Sequence, residues 1–168
     1  MAAADGPMVS VTGTDFMWFV DTALDAMAVI LRDLGDDLAN RQPDLEGANT
    51  PFAILTHCLG VMEFWGGATV AGREIQRDRE AEFRARGELG DLLRRAAAAR
   101  QQLESDLAEL DSEAAPLSPG RHAKPGDAPD AAEPYARNRG SVLLHIVEEL
   151  FQHLGQMELT RDLLLADG

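Results

Sequence analysis

The sequence predicts an all-α protein that folds as a four-helix bundle. Apolar residues recur at the three-and-four spacing of helices over long stretches of the chain. No stretch shows the apolar–polar alternation that a half-buried strand requires. With 168 residues, 45% of them hydrophobic, the chain is long enough to bury one core. Amphipathic helices of this kind bury their apolar faces most simply in a bundle.

The first helix is expected to run from Thr14 to about Asn40, because one apolar stripe follows this stretch with helical spacing. The stripe contains Phe16, Phe19, Val20, Ala23, Met27, Leu31, Leu34 and Leu38. We expect residues 1–13 to form a flexible N-terminus. Residues 14–168 should form a single helical domain.

The second helix is expected after the turn-rich segment RQPDLEGANTP. Asn49 or Thr50 can cap its N-terminus, and Pro51 suits its first turn, where no free N–H group is needed. The helix should continue to about Ala68. The charged segment that follows, GREIQRDREAEFRARG, is only weakly periodic, so no element is predicted there.

The third helix is predicted at residues 88–111, where leucines restore the helical spacing. Residues 112–139 contain most of the prolines and form a long connection. Connections of this length usually serve a function, such as covering a site, or are disordered. Ser141 can cap the fourth helix, which should run nearly to the C-terminus.

Charge and composition exclude several classes of function. The formal net charge of −14, from 29 acidic and 15 basic residues, repels nucleic-acid phosphates and anionic membrane surfaces. The apolar run FMWFVDTALDAMAVIL contains Asp21 and Asp25 and is too short to span a bilayer. A single cysteine, Cys58, rules out an internal disulfide, and the N-terminus lacks a signal sequence. We therefore expect a cytoplasmic protein. The sequence does not decide between a monomer and a homodimer.

The fourth helix places ionisable residues at its apolar face. Its apolar stripe contains Val142, Ile146, Leu150, Met157 and Leu164. His153 falls on this stripe and Glu149 lies at its edge, where a metal ion or an ion pair must satisfy the carboxylate. His145 and His153 lie roughly 12 Å apart along the helix axis and cannot share one small ion, whereas residues four apart are only about 6 Å apart. The ligand pair is thus His145 with Glu149, or Glu149 with His153.

His57 in the second helix is a candidate third ligand, because it shares a helix face with Ile54 and Val61. Metal sites in bundles are built from side chains on facing helices. Two histidines and one carboxylate leave positions open for water or a substrate atom. Taken singly, each residue is more often a hydrogen-bonded core histidine or a solvated glutamate.

Two segments, TPFAILTHCLGVMEFW and GSVLLHIVEELFQHLGQMELTRDLL, resemble the signature segments of the DinB/YfiT-like superfamily of metal-dependent helical bundles. The closer resemblance is to its mycothiol-dependent branch, which includes the metal-binding domain of mycothiol-dependent maleylpyruvate isomerase. It covers most of the chain and is most specific in the run HxxxExxxHxGQ. In that branch glutamate replaces the middle of three histidine ligands. The resemblance implies that His57, Glu149 and His153 bind the metal and that His145 lies one turn away, beside the ligands or in the pocket. Gln156 matches the family run and either orients a ligand or is a simple amide on the helix surface.

The resemblance further implies a function in thiol activation. A divalent ion, with zinc favoured over nickel, manganese or iron, would hold a low-molecular-weight thiol for attack on an electrophile. Mycothiol is the expected thiol, which agrees with a composition typical of GC-rich genomes. Maleylpyruvate isomerisation is a weaker alternative, because that isomerase has an additional C-terminal domain and this sequence ends at Gly168. The other alternative is a non-catalytic bundle that binds a metal and a partner protein.

Other residues give weaker signals. Trp18 and Trp65 would line a pocket or, more commonly, pack in the core. Arg77 and Arg79 would contact an anionic substrate or, more commonly, lie in a solvated, salt-bridged segment. Cys58 points about 100° away from its neighbour in the helix and is expected to be a small buried residue rather than a ligand or nucleophile.

Overall fold

The computed structural model describes residues 10–108, 110–118 and 137–166. Every regular element in these residues is helical, which confirms the all-α prediction. The elements are α1 (Gly13–Ala39), α2 (Pro51–Val61), a π-helical stretch (Met62–Val70), α3 (Arg79–Glu82), α4 (Leu89–Asp106) and α5 (Arg139–Ala166). Long helices are thus present in all four predicted places, and the short α3 was not predicted.

Helix α1 begins with a capping box. The Thr12 hydroxyl accepts a hydrogen bond from the Asp15 N–H at 3.0 Å, and the Asp15 carboxylate accepts one from the Thr12 N–H. Of its predicted apolar stripe, Phe19 is 43% exposed, so its predicted place in the core is wrong. Phe19 lies at the edge of the stripe, where its ring contacts Trp18 and Phe151 instead.

A break at Gly35 directs the end of α1 toward the start of α4. Gly35 has φ 69° and ψ 174°, a backbone conformation that essentially only glycine adopts. Beyond the break, an Asp36 carboxylate oxygen accepts a hydrogen bond from the Leu89 N–H at 2.7 Å. The Asn40 side chain donates to the Gly87 carbonyl and accepts from its N–H. Asp36 therefore supplies the N-terminal cap of α4 from another helix.

Helix α2 is the most deeply buried element. Of its two candidate caps, Thr50 is the one used, since its hydroxyl accepts from the Ala53 N–H at 3.1 Å. Every residue of Pro51–Val61 is buried, so the helix is covered on all sides and not only on the face with His57. The helical path then continues to Val70 through π-helical turns, a rare geometry that frequently occurs at functional sites.

The other predicted helix ends need correction. Helix α4 ends at Asp106 rather than at residue 111. Helix α5 is capped by Asn138 rather than by Ser141, because the Asn138 side chain accepts from the Ser141 N–H at 2.8 Å. The Ser141 hydroxyl in turn accepts from the Asn138 N–H. Most of the long connection, residues 119–136, lies outside the described residues, as does most of the predicted N-terminal segment.

The helices pack around a common core. Helix α1 contacts α5, α4 and α2, and the α2–π segment contacts both α4 and α5. The apolar stripe predicted for the last helix is buried throughout, at Val142, Ile146, Leu150, Met157 and Leu164. Among the described residues, no helix combines the length and apolar character needed to cross a membrane. The packing places α2, α3 and α5 around His57.

Replacing Gly35 by alanine should lower the free energy of unfolding by about 1–3 kcal/mol, because alanine disfavours this backbone conformation. The matched control is Gly155→Ala in the interior of α5, where an added Cβ meets no atom within 4 Å. That substitution should leave stability unchanged or raise it by up to about 1 kcal/mol. Urea unfolding followed by circular dichroism measures both. Equal effects of the two substitutions would contradict the assigned role of Gly35.

Candidate metal centre

Three of the predicted residues come together between α2 and α5. One ligand atom from each of His57, Glu149 and His153 lies within 4.8 Å of the others. Glu149 Oε2 is 3.4 Å from His57 Nε2 and 3.6 Å from His153 Nε2. His145 is not part of this group. Of the two ligand pairs that helix spacing left open, the structure brings Glu149 together with His153.

The tautomer of His57 follows from its partner in α3. His57 Nδ1 lies 2.8 Å from Glu82 Oε2, and an ionised carboxylate can only accept a hydrogen bond. Burial acts to raise the pKa of Glu82, but hydrogen bonds from His57 and Arg77 outweigh it and lower the pKa to about 2. Glu82 is therefore ionised at neutral pH, and Nδ1 of His57 must donate. In the neutral ring, the lone pair is then on Nε2.

The second histidine is oriented in a similar way. His153 Nδ1 lies 2.8 Å from Gln156 Oε1, so this nitrogen donates and Nε2 faces Glu149. Burial acts to lower the pKa of His153, but its contacts with Glu149 and Gln156 raise the pKa above the usual 6.5. The neighbouring imidazole of His153, and then that of His57, lower the pKa of Glu149. A negative carboxylate thus faces two imidazole nitrogens.

This donor set fits a cation. His57 Nε2 is buried and has no hydrogen-bond partner in the described part of the chain, although it lies 3.4 Å from Glu149 Oε2. A lone pair beside a carboxylate oxygen is unfavourable without a positive charge between them. A proton on His153 partly meets this need, and a divalent ion bound by His57, Glu149 and His153 meets it fully. Two imidazole nitrogens and one carboxylate suit zinc and several other divalent ions.

The remaining predicted residues lie at different distances from this group. His145 Nδ1 is 3.1 Å from Glu148 Oε2, and its ring meets the buried ring of Trp65 edge to face at 5.1 Å. Trp18 is 61% exposed, so its expected place in the core is wrong. It lies on the outer side of α1, where its ring contacts Phe19.

The two arginines of the charged segment differ from each other. The Arg77 side chain is only 6% exposed and forms a bidentate ion pair with Glu82, so it is salt-bridged as predicted but not solvated. Arg79 is exposed, and its guanidinium carbon lies 5.2 Å from the centre of the Phe83 ring. The Phe83 ring stacks on His57 at 4.4 Å. Arg79 thus lies close enough to the centre for its charge to act on His153, whose pKa it tends to lower.

Sequence reasoning missed Glu82 and Phe83, which both contact His57. The segment that contains them is charged and lacks helical periodicity, and α3 is only one turn long. No signal in the sequence connects Glu82 with a histidine 25 residues earlier. Cys58, the neighbour of His57, is fully buried, as expected. Burial, and then the charges of Glu149 and Glu82, raise the pKa of its thiol, so that it is not a nucleophile at neutral pH.

Wild-type protein should bind about one divalent ion per chain, and His57→Ala or His153→Ala should each abolish binding because each removes a ligand. His145→Ala is the control. It should retain the ion, because His145 lies outside the group of three. Metal analysis after removal of excess ion measures the stoichiometry. Full occupancy in both ligand variants would show that the ion binds elsewhere.

Metal affinity should rise with pH through 6.5 and above. The raised pKa of His153 means that a proton stays on its ring to a higher pH than usual and competes with the ion. Below that pKa, each pH unit should change the affinity by about tenfold for one competing proton. Zinc titrations at several pH values measure this dependence. An affinity that stops rising well below pH 6.5 would contradict the assigned contacts of His153.

Comparison with protein families finds a matching family model. A sequence model of the DinB superfamily matches residues 20–157, a span that includes His57, Glu149 and His153. No curated protein and no solved structure compared with the chain matches it. Because the matched span covers well over half of the 168 residues, the chain belongs to the DinB superfamily.

Proposed function

We propose that the chain is a divalent-metal-dependent thiol transferase of the mycothiol-dependent branch of its superfamily, built as a four-helix bundle. Zinc is the favoured ion, with nickel, manganese and iron as alternatives, because a mixed nitrogen and oxygen donor set accepts all four. The thiol is a low-molecular-weight compound, with mycothiol favoured. The second substrate is a small electrophile, such as a xenobiotic or a reactive metabolite.

The observation that carries this proposal is the number of ligands at the centre. In the described residues, the group around Glu149 offers three ligand atoms. Structural zinc sites usually close with four protein ligands, whereas catalytic sites keep a position for a substrate atom. A site with three ligands therefore favours a chemical role over a structural one.

The chemistry needs a nucleophile from outside the chain. A bound divalent ion would lower the pKa of a thiol that reaches the open position, so that thiolate forms at neutral pH. The buried Cys58 is unsuited to this role because the pKa of its thiol is raised. In the transfer, the sulfur forms a bond to the electrophilic carbon, and the leaving group departs with the electron pair of the broken bond.

Residues beside the centre are suited to substrate recognition. Arg79 makes no ion pair within the described part of the chain, and its charge is held over Phe83 beside His57. We assign Arg79 to an anionic group on the thiol or the electrophile. We assign Trp65 and His145, which contact each other edge to face, to the wall of the pocket. The guanidinium of Arg77 is paired with Glu82, so we assign Arg77 to holding Glu82 in place rather than to binding substrate.

Mixed with mycothiol and monobromobimane, the zinc-loaded protein should form the conjugate at a rate that requires the metal. Glu149→Gln should keep the fold, since the two side chains have similar volumes, and should lose most of the rate because the site loses its negative ligand. Fluorescence of the conjugate measures the rate. The matched control is Glu158→Gln, the same chemical change at an exposed position of the same helix, and its rate should equal that of wild type.

Failure to form the conjugate would favour the alternative, a non-catalytic bundle that binds a metal and a partner protein. If zinc-loaded protein binds none of mycothiol, bacillithiol or glutathione at millimolar concentration, the transferase proposal fails. The observation in favour of a partner-binding surface is the exposed aromatic cluster of Trp18, Phe19 and Phe151 on α1 and α5. Exposed aromatic residues of this kind are common at protein interfaces, including those of homodimers.

A further inference from the structure

We propose that Glu82 is a positioning residue, whose carboxylate fixes the tautomer and orientation of His57 and thereby sets the affinity of the centre for a divalent ion. Arg77 and Gly60 support Glu82 in this role. The inference rests on the proposed metal centre. Glu82 and Arg77 belong to the charged segment 72–87, which lies outside the two helices that provide the ligands, whereas Gly60 lies in α2.

The contacts of Glu82 leave its carboxylate little freedom. Oε2 accepts from His57 Nδ1 at 2.8 Å and from Arg77 Nη2 at 2.8 Å, and Oε1 accepts from Arg77 Nε at 2.6 Å. The side chains of Arg77 and Glu82 are only 6% and 8% exposed. Because both side chains are almost completely covered, rotation of the carboxylate would break its ion pair with Arg77 and its hydrogen bond from His57. The position of Nδ1 in His57 is therefore fixed.

The ring of His57 is also held on its face. Phe83, the next residue after Glu82, stacks on it with ring centres 4.4 Å apart and planes at 25°. Arg77 Nη2 lies 3.3 Å from His57 Nδ1, but a nitrogen that donates to Glu82 has no lone pair to accept from it. Nδ1 therefore keeps its hydrogen, and the lone pair on Nε2 points toward Glu149.

Gly60 in α2 makes room for this contact. A Cβ atom at position 60 would lie 2.2 Å from Glu82 Oε1 and 2.6 Å from its carboxyl carbon. Both distances are far below van der Waals contact, and the carboxylate cannot move aside without losing Arg77 or His57. The missing side chain thus permits the close approach of α3 to α2.

Histidine ligands commonly donate their second nitrogen to a carboxylate or carbonyl, and loss of that partner typically weakens metal binding 10–100-fold. The coupling between Glu82 and the metal must be reciprocal. If the contact of Glu82 with His57 strengthens metal binding, metal binding strengthens that contact by the same free energy. Metal binding should therefore also stabilise α3, although no residue of α3 belongs to the ligand group.

The chain provides a control in a second arginine–carboxylate pair, whose carboxylate is buried and whose arginine is partly exposed. Arg73 donates to both oxygens of Asp106, from Nε at 3.0 Å and from Nη2 at 2.7 Å, and the Asp106 side chain is 5% exposed. Asp106→Asn and Glu82→Gln therefore each remove the charge of a buried carboxylate that accepts two hydrogen bonds from one arginine, although Arg73 is 35% exposed and Arg77 only 6%. Only Glu82 contacts a candidate ligand.

The test is a zinc titration against a chromophoric chelator for wild type, Glu82→Gln, Gly60→Ala and Asp106→Asn, with circular dichroism to verify folding. A glutamine at position 82 offers one acceptor oxygen to three N–H donors, so its amide meets either His57 or Arg77 with the wrong group. Glu82→Gln and Gly60→Ala should bind zinc 10–100-fold more weakly, and Asp106→Asn should match wild type. If Glu82→Gln or Gly60→Ala does not fold, Arg77→Lys replaces it and should also weaken binding.

Hydrogen exchange provides a readout that a general loss of stability would not produce. Zinc should slow amide exchange in α3 of wild type and of Asp106→Asn, and this slowing should be absent in Glu82→Gln. Equal zinc affinity in wild type and the folded Glu82 or Gly60 variants would overturn the positioning role and leave the metal centre intact. Equal weakening in Asp106→Asn would also overturn it. If wild type itself binds no zinc, the proposed function fails first.

Discussion

The centre of this fold depends on how one buried histidine satisfies its two ring nitrogens. His57 is 1% exposed and lies in a helix whose every residue is buried, so bulk water cannot serve either nitrogen. Glu82 of α3 takes one nitrogen, and the other faces Glu149 of α5. The same ring thus connects three helices. It also explains why a charged segment without helical periodicity lies against the core.

The charges around His57 are balanced unevenly. Two carboxylates, Glu82 and Glu149, have lowered pKa values and are both ionised at neutral pH. Arg77 neutralises Glu82, whereas the partners of Glu149 are two imidazole rings. A divalent ion between those rings and Glu149 removes this imbalance. The net charge of −14 is spread over the whole chain, whereas the affinity for a bound cation depends on the geometry around Glu149.

The sequence allowed the helical class and the positions of the long helices to be predicted, because the apolar spacing records which faces are buried. Ionisable residues on apolar stripes require partners, which drew attention to His57, Glu149 and His153, but helix spacing left His145 open as the partner of Glu149 and only the family resemblance made the choice. The contact of Glu82 with His57 could not be predicted from the sequence, because α3 is one turn long and is held in place by tertiary contacts. The prediction that Ser141 caps the fourth helix was wrong because Asn138 was not considered, although the Asn138 and Ser141 side chains each bond to the other's backbone. The π-helical turns at Met62–Val70 leave no mark in apolar spacing.

X-ray absorption spectroscopy of the zinc-loaded protein tests the central claim most directly, because it reports the atoms around the ion. The account predicts two imidazole nitrogens and at least one oxygen without sulfur, and then a sulfur neighbour at about 2.3 Å once mycothiol is added. Loss of the imidazole signal in His57→Ala would tie the spectrum to this centre. A spectrum without imidazole nitrogens in the wild-type protein, or one that mycothiol leaves unchanged, would contradict the account.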